Sequence, residues 1–238
     1  MSATQPDPRV GIQSRLESAS NYNAWIAGQA RAVLGRRVLD AGCGAGNVTS
    51  ALLDRELVVA VDEWPEFVQG METRFGDRSN VRVLRLDLAD PALVEALRPF
   101  GLDSAMCVNV LEHVEDHRAA LGNLAAVLPA GAPLFLLVPA LPGLYGEMDR
   151  IDHHFRRYTK GSLRATVAGL PWRVEELRYM NVPGVLAWFV YGRVLRRATV
   201  SEGSYGLYDR IVPALARGER RWPPPLGQSL VAVLRKTA

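Results

Sequence analysis

In this 238-residue chain the residues best suited to chemistry lie in Arg37-Val-Leu-Asp-Ala-Gly-Cys-Gly-Ala-Gly-Asn-Val-Thr49. The stretch reads as a short buried strand (Val38, Leu39), a turn carrying Gly42, Gly44 and Gly46, and the opening of a helix. Glycine lets a ligand approach the backbone, and the first N–H groups of a helix lack internal partners, so the pattern suits a nucleotide-like ligand. A dinucleotide fingerprint spaces its glycines Gly-x-Gly-x-x-Gly around a pyrophosphate. Here the third glycine comes one residue early, and Asn47 stands at the expected position. Asp40, just before the turn, would repel a phosphate but could hold an ammonium. Asp62, after a second apolar strand Leu57-Val-Val-Ala-Val61, can accept from ribose hydroxyls. The spacing implies a nucleoside with a cationic tail.

These residues need a frame. A first helix is expected over Asn21–Leu34, with Ser20 or Asn21 as N-cap and Tyr22, Ile26 and Val33 near one face. A helix over Asn47–Leu53 follows strand one, and Trp64-Pro65 opens the helix after strand two. Strand three is expected over Val81–Leu86, ending at Asp87. A helix follows with Leu93, Ala96 and Leu97, broken by Pro99, and then strand four over Asp103–Val110. A helix over Leu121–Leu128, strand five over Pro133–Pro139, a helix over Thr159–Ala168, a strand over Trp172–Met180 and a last strand within Gly227–Lys236 complete the pattern. Strict β–α alternation predicts an α/β protein with a doubly wound, mostly parallel sheet. Ligands on such sheets sit beyond the carboxyl ends of the strands, where Asp40, Asp62, Asp87 and Asn109 all fall.

Composition narrows the class. Hydrophobic content of 48% with 22% charged residues suits a globular protein and excludes wholesale disorder. No apolar run reaches the length of a membrane span, and the first residues have no signal-peptide core. Cys43 and Cys107 do not suggest a disulfide framework, so a cytoplasmic location is expected. The formal charge of +3 is carried by arginines in separate short groups (Arg156-Arg157, Arg196-Arg197, Arg220-Arg221), which read as solvated faces. No nucleic-acid partner is expected. Residues 1–20 read as a flexible lead, and 21–238 as one domain with an insertion over 181–226.

Val38-Leu-Asp-Ala-Gly-Cys-Gly-Ala-Gly46, together with Asp62, resembles the cofactor half of class I S-adenosylmethionine-dependent methyltransferases, in a subgroup like methyltransferase types 11 and 12. The resemblance covers roughly residues 20–180. It implies a seven-stranded Rossmann-like sheet with an antiparallel last strand and an inserted cap before it. It also implies S-adenosyl-L-methionine as cofactor and S-adenosyl-L-homocysteine as product. On this likeness Gly42, Cys43, Gly44 and Gly46 form the cradle for the methionine part, and Asp40 acts through the amino group. Asp62 accepts from the ribose, with Glu63 as fallback. Asp87 accepts from the adenine amino group, with Leu88 packing near the ring and Trp64 stacking or only anchoring. Asn109 and Val110 lie beside the sulfonium, and Tyr22 with Trp25 are lid candidates that core packing explains equally well. Asp87 capping the next helix is the plainer alternative.

Two further segments carry candidates for the reaction itself. Asn109-Val-Leu-Glu-His113 resembles the family segment beside the acceptor, and His113 is open between a contact there and a helix-capping role. Leu144-Tyr-Gly-Glu-Met-Asp-Arg-Ile-Asp-His-His-Phe-Arg-Arg-Tyr158 resembles the Asp-Arg-x-x-Gly-His-x-Arg-Arg-Tyr loop of a bacterial methyltransferase subgroup, with His153 where the family has glycine. An oxygen or nitrogen acceptor sheds a proton, and histidine is matched to take it near neutral pH. His154 is the expected base, then His153, with Asp149 or Tyr145 orienting substrate. The alternative is that Asp149, Arg156 and Arg157 form a structural ion-pair network. No metal is expected.

The functional expectation is methyl transfer to oxygen, nitrogen or carbon of a small molecule. A nicotinamide dehydrogenase is disfavoured by the glycine spacing. A non-catalytic binding protein on the same fold remains a rival, as does a membrane-surface lipid or quinone methyltransferase, for which the aromatic and basic stretch 185–197 speaks. Oligomeric state, monomer or dimer, is open.

Overall fold

The computed structural model describes residues 19–190 and 202–238. Residues 1–18 of the lead expected over 1–20, and residues 191–201 with Arg196-Arg197 and the end of the 185–197 stretch, lie outside them, while Ser20 already belongs to the first helix. Seven strands form one sheet in the order β3-β2-β1-β4-β5-β7-β6. They are β1 (Arg37–Ala41), β2 (Leu57–Asp62), β3 (Val81–Arg85), β4 (Ser104–Val108), β5 (Pro133–Pro139), β6 (Trp172–Met180) and β7 (Ser229–Lys236). β1 to β5 pair in parallel, whereas β7 runs antiparallel between β5 and β6. The order changes direction between β1 and β4, which opens a crevice at their carboxyl ends.

Both sheet faces are covered, so the central strands are apolar throughout instead of alternating. On one face α1 (Ser20–Arg31) and α2 (Pro65–Phe75) bury Ile26, Ala30, Met71 and Phe75 against Val38, Val58, Ala60 and Met106. On the other, α3 (Ala92–Leu97), α4 (His117–Val127) and α6 (Lys160–Val167) cover Leu39, Val59, Ala105 and Leu136 with Leu93, Leu121, Leu124 and Leu163. Between them come α5 (Glu147–Ile151), in the loop after β5, and α7 (Val182–Trp188) and α8 (Glu202–Arg221), which fill the insertion before β7. Among the described residues no helix is long and apolar enough to cross a membrane.

Several boundaries differ from the sequence expectation, each for a local reason. The helix expected over Asn47–Leu53 is a single 3-10 turn, Thr49–Leu52. β3 ends at Arg85, with the Leu86 N–H making the last ladder bond to the Asp62 carbonyl, and β4 ends at Val108, leaving Asn109 and Val110 in the loop. α4 begins four residues before Leu121, where the Asp116 carboxylate accepts the Ala119 N–H at 2.9 Å. The β7 pairing starts at Ser229, after Gly227.

The cap of α1 is the largest departure. Neither Ser20 nor Asn21 is the N-cap; the position belongs to Ala19, which has no side-chain acceptor. Instead Asp209 of α8 accepts the backbone N–H of Asn21 at 3.1 Å and of Tyr22 at 2.9 Å. Glu219, on the same helix, likewise accepts the N–H of Asn181 at 2.9 Å and of Val182 at 3.0 Å, at the start of α7. Two carboxylates of the insertion thus cap two helices remote in sequence. Asp209→Ala should lower stability by about 1–2 kcal/mol in a urea titration, the range for losing a helix cap; an unchanged midpoint would mean the α1–α8 contact holds without it.

Candidate active site

Because β1, β2, β4 and β5 are parallel, the loops after them emerge at one edge, and the candidate residues meet there. The glycine turn is stitched to the end of β2: the N–H groups of Gly42 and Cys43 both donate to the Val61 carbonyl at 2.9 Å, and Gly44 donates to Asp62 Oδ2 at 2.9 Å. Asp62 Oδ1 accepts the Trp64 N–H at 3.0 Å. Gly42 and Gly46 have φ of 79°, where an L side chain is strained. A Cβ on Gly42 would lie 2.3 Å from Val110 Cγ2, and one on Gly46 2.4 Å from Met71 Sδ. These glycines let the turn lie flat against its neighbours as well as open a cradle.

Asp40 is buried and accepts a hydrogen bond from the Thr49 hydroxyl. Burial, with the nearby Asp62 charge, pushes its carboxyl up to about 7. Glu63 is exposed and Trp64 half-buried at the start of α2. Asp87 is exposed, and its Oδ1 closes a local turn onto the Ala89 N–H at 2.8 Å; it does not cap the next helix, whose N-cap is Pro91. Leu88, expected near the adenine ring, is 5% exposed and belongs to the core cluster that includes Leu93 and Ala120. Asn109 sits at φ 53° with its N–H on the Leu137 carbonyl, and Val110 rests on Gly42. Tyr22 meets Trp25 edge-on at 6.2 Å and Tyr208 of α8 at 6.1 Å, so it joins the insertion to the sheet. Cys43 and Cys107 are free and buried, and burial raises both thiols.

The loop after β5 is organised by Asp149, which is fully buried. Its Oδ1 accepts from His154 Nδ1 at 2.9 Å and Arg157 Nε at 2.7 Å. Its Oδ2 accepts from the Gly146 N–H at 2.9 Å and Trp188 Nε1 at 3.2 Å. Four donors saturate a carboxylate. Burial alone would raise its pKa, but His154 and Arg157 outweigh that and hold it at about 2. The expected substrate-orienting role of Asp149 is therefore corrected to that of a structural hub, joined by Arg157 but not by Arg156. Arg156 turns instead to the carbonyls of Val114 and Glu115.

The histidine assignment changes too. His154 donates from Nδ1 to Asp149 and, with Nε2 at 3.1 Å, to Asp152. Burial would lower its pKa, but these two carboxylates raise it to about 9. At neutral pH His154 is a charged donor, not the expected base. His153 is exposed, with φ of 55°: the left-handed backbone suited to the family glycine persists under a histidine. Tyr145 donates its hydroxyl to the His154 carbonyl at 2.7 Å, a contact that shapes the loop.

What the loop does is clamp the segment after β4. The Phe155 N–H donates to the Glu112 carbonyl at 2.8 Å, and the Tyr158 hydroxyl donates to the Leu111 carbonyl at 3.2 Å. His113 and His154 meet edge-on with ring centroids 4.6 Å apart. Between these elements lies Glu112, which the sequence reading did not single out. It is 1% exposed, and neither carboxylate oxygen has a hydrogen-bond partner among the described residues. Burial pushes it up to about 7, with His154 pulling the other way. A lone acid between Leu111 and a histidine, just past an apolar strand, was the available signal.

Residues 39–134 match a family model described as a methyltransferase domain. A ubiquinone biosynthesis O-methyltransferase of Xanthomonas oryzae pv. oryzae is 30% identical over 190 residues, 73% of this chain and 76% of that protein. Its counterpart in Xanthomonas campestris pv. campestris is 29% identical over 186 residues, 71% and 75% of the two chains. Among solved structures, the YcgJ protein of Bacillus subtilis aligns with a TM-score of 0.59 at 17% identity, over 91% of this chain and 98% of that one. The [4+2]-cyclase SpnF aligns at 0.58 and 14% identity, over 92% and 82%. Such structural likenesses speak to the fold alone.

Proposed function

Since this chain belongs to the class I S-adenosylmethionine-dependent methyltransferases, we propose that it methylates a hydroxyl oxygen of a small, partly apolar molecule. The observation that carries the choice of site is Glu112, buried without a partner between His113 and His154 at the carboxyl end of β4. The O-methyltransferase names of the Xanthomonas relatives support oxygen as acceptor atom.

The residues at the strand ends fit the cofactor. Asp40 and Asp62 place two acids at neighbouring strand ends; burial, with a smaller part from the Asp62 charge, raises Asp40, and an ammonium beside it would favour its ionised form. The turn brings Gly44 beside the Asp62 carboxylate, where a ribose would lie. S-adenosylmethionine, when bound, supplies an electrophilic methyl group on a sulfonium. The protein's part is to align the acceptor oxygen behind that carbon and to take its proton. Of the groups at the loop after β4, Glu112 is the one that burial brings to about 7, where its carboxylate can take that proton, and the neighbouring His154 favours the ionised form. Trp188, fastened to Asp149 and lying over Arg157 at 4.9 Å, supplies an apolar wall from the insertion.

Incubation with methyl-labelled S-adenosylmethionine and a panel of hydroxylated aromatic and aliphatic acceptors, read by mass spectrometry, tests the reading. Label on oxygen supports it; cofactor binding with label only on nitrogen or carbon overturns the acceptor, and no cofactor binding overturns the whole. Calorimetry should show S-adenosylhomocysteine binding weakened by about 1–3 kcal/mol in Asp62→Ala, the cost of a lost charge-assisted hydrogen bond. Equal affinity in wild type and variant would remove Asp62 from the cofactor site.

A second reading, that the acceptor is lipid-borne, is favoured by the exposure of Leu186 (68%), Leu207 (66%) and Trp222 (74%) on and beside the insertion helices. Co-sedimentation with anionic vesicles that is lost in Leu186→Ser/Leu207→Ser supports it; absence of wild-type binding refutes it.

A further inference from the structure

We propose that Glu112, His113 and His154 form a site for one divalent transition-metal ion of the zinc type, a departure from the metal-free enzyme that the sequence suggests. One carboxylate oxygen of Glu112 and one ring nitrogen of each histidine lie within 4.8 Å of one another. Two donors on a tetrahedral zinc are about 3.4 Å apart, as bond lengths near 2.1 Å require, so the three close on an ion by small side-chain movements. Mixed imidazole and carboxylate donors suit zinc, cobalt or nickel rather than magnesium or calcium.

Three independent features point to a ligand. First, Glu112 is 1% exposed with both oxygens unpartnered, a costly state for a carboxylate that coordination would satisfy. Second, His154 is held as metal-ligating histidines are held: Nδ1–H donates to Asp149 at 2.9 Å, which fixes the ring and leaves Nε2 for the ion. Asp149 is in turn anchored by Arg157 and Trp188, so the support extends a further shell. Third, the Asp152 carboxylate faces His154 Nε2 at 3.1 Å, so negative charge lines the side on which an ion would sit. Three carboxylates, Glu112, Asp149 and Asp152, converge here on His154 and Arg157.

The existence of the site is independent of the methyl-transfer reading; its use rests on it. A bound ion would be held by Glu112, His113 and His154 and would lower the pKa of an acceptor hydroxyl beside it; Glu112 would then be a ligand, and the hydroxyl proton would leave to solvent.

The test uses the full chain, stripped with chelator and dialysed, without cofactor or acceptor. Titration with CoCl2 followed by visible absorption, and zinc content after gel filtration, should show one equivalent bound. Glu112→Gln and His113→Ala should each weaken Co²⁺ binding at least tenfold, whereas His117→Ala, a histidine outside the cluster, should not. Because a buried variant can fail to fold, zinc-edge X-ray absorption on the loaded wild type is the second measurement, expected to show two imidazoles with oxygen donors. No binding by wild type, equal affinity in folded Glu112→Gln and His113→Ala, or a zinc shell without imidazole overturns the proposal. A protein that binds the ion but transfers no methyl group refutes the function reading alone; one that methylates hydroxyls but binds no ion refutes the metal site alone.

Discussion

Asp149→Ala is expected to lower the unfolding free energy by about 3–5 kcal/mol, the cost of breaking a buried ion pair by removing one partner. The size follows from what the side chain holds. Four donors from Gly146, His154, Arg157 and Trp188 end on its two oxygens, in a fully buried position. Removing it leaves the buried Arg157 guanidinium with the Ala140 carbonyl as its remaining hydrogen-bond acceptor among the described residues. It also frees Trp188 of α7 and the ring of His154, so the loop after β5 and the insertion lose their shared anchor. Asp149→Asn keeps the shape but loses the charge and should cost less. The exposed pair Arg150–Glu147, at 3.2 Å, is the internal contrast: Arg150→Ala should cost less than about 1 kcal/mol. Urea titrations with far-UV circular dichroism measure all three. A cost below 1 kcal/mol for Asp149→Ala would mean that the hub is an arrangement the fold does not depend on.

The second large effect is on the dependence of stability on pH. Asp149, held at about 2, releases its proton in the folded state before it does in the unfolded one, so stability rises as pH climbs from 2 to about 4. Asp40 and Glu112, pushed up to about 7, keep protons that the unfolded chain has already released, so stability falls from about pH 4 to 7. His154, raised to about 9, keeps its proton after an unfolded histidine has lost it, and the fall continues to about pH 9. The metal-free, cofactor-free protein should therefore be most stable near pH 4, below the usual optimum of about 5–8. At about 1.4 kcal/mol for each pH unit separating folded and unfolded titration, Asp40 alone accounts for up to about 4 kcal/mol. Asp40→Asn should flatten the limb between pH 4 and 7 and leave the variant more stable than wild type at pH 8 by about 2–4 kcal/mol. Denaturant midpoints at pH 4.5, 7 and 8.5 check this. A wild-type midpoint that rises over the same range would show that Asp40 and Glu112 are ionised throughout.

Both effects concern groups whose positions were legible in the sequence while their states were not. Asp40 and Asp62 could be placed at strand ends from the apolar runs before them, because a buried parallel strand is a local pattern of residue types. The same logic located β5 to the residue and β2 to within one, and the turn at Gly42–Gly46. That Asp40 sits near neutrality depends on its burial in the folded chain and on the Asp62 charge at the end of the neighbouring strand, which no window of sequence contains. His154 shows the same limit. Its residue type suggested a base, yet Asp149 and Asp152 together make it a donor.

α8 was missed for a different reason. Gly203, Gly206, Pro213 and Gly218 weaken its helical signal, and what stabilises it is contact: Val212 is buried, and Asp209 and Glu219 close the starts of α1 and α7. Local propensity is a weak prior that such packing overrides. The amino-acid order alone was thus sufficient for the cofactor turn, the β–α alternation and the class of chemistry, since each is written in short-range spacing. Only the tertiary structure decided which acid is satisfied and which is left alone, because the partners of Asp149 come from Gly146, His154, Arg157 and Trp188, while Glu112 is buried by loops from two different strands and given no partner among the described residues by either.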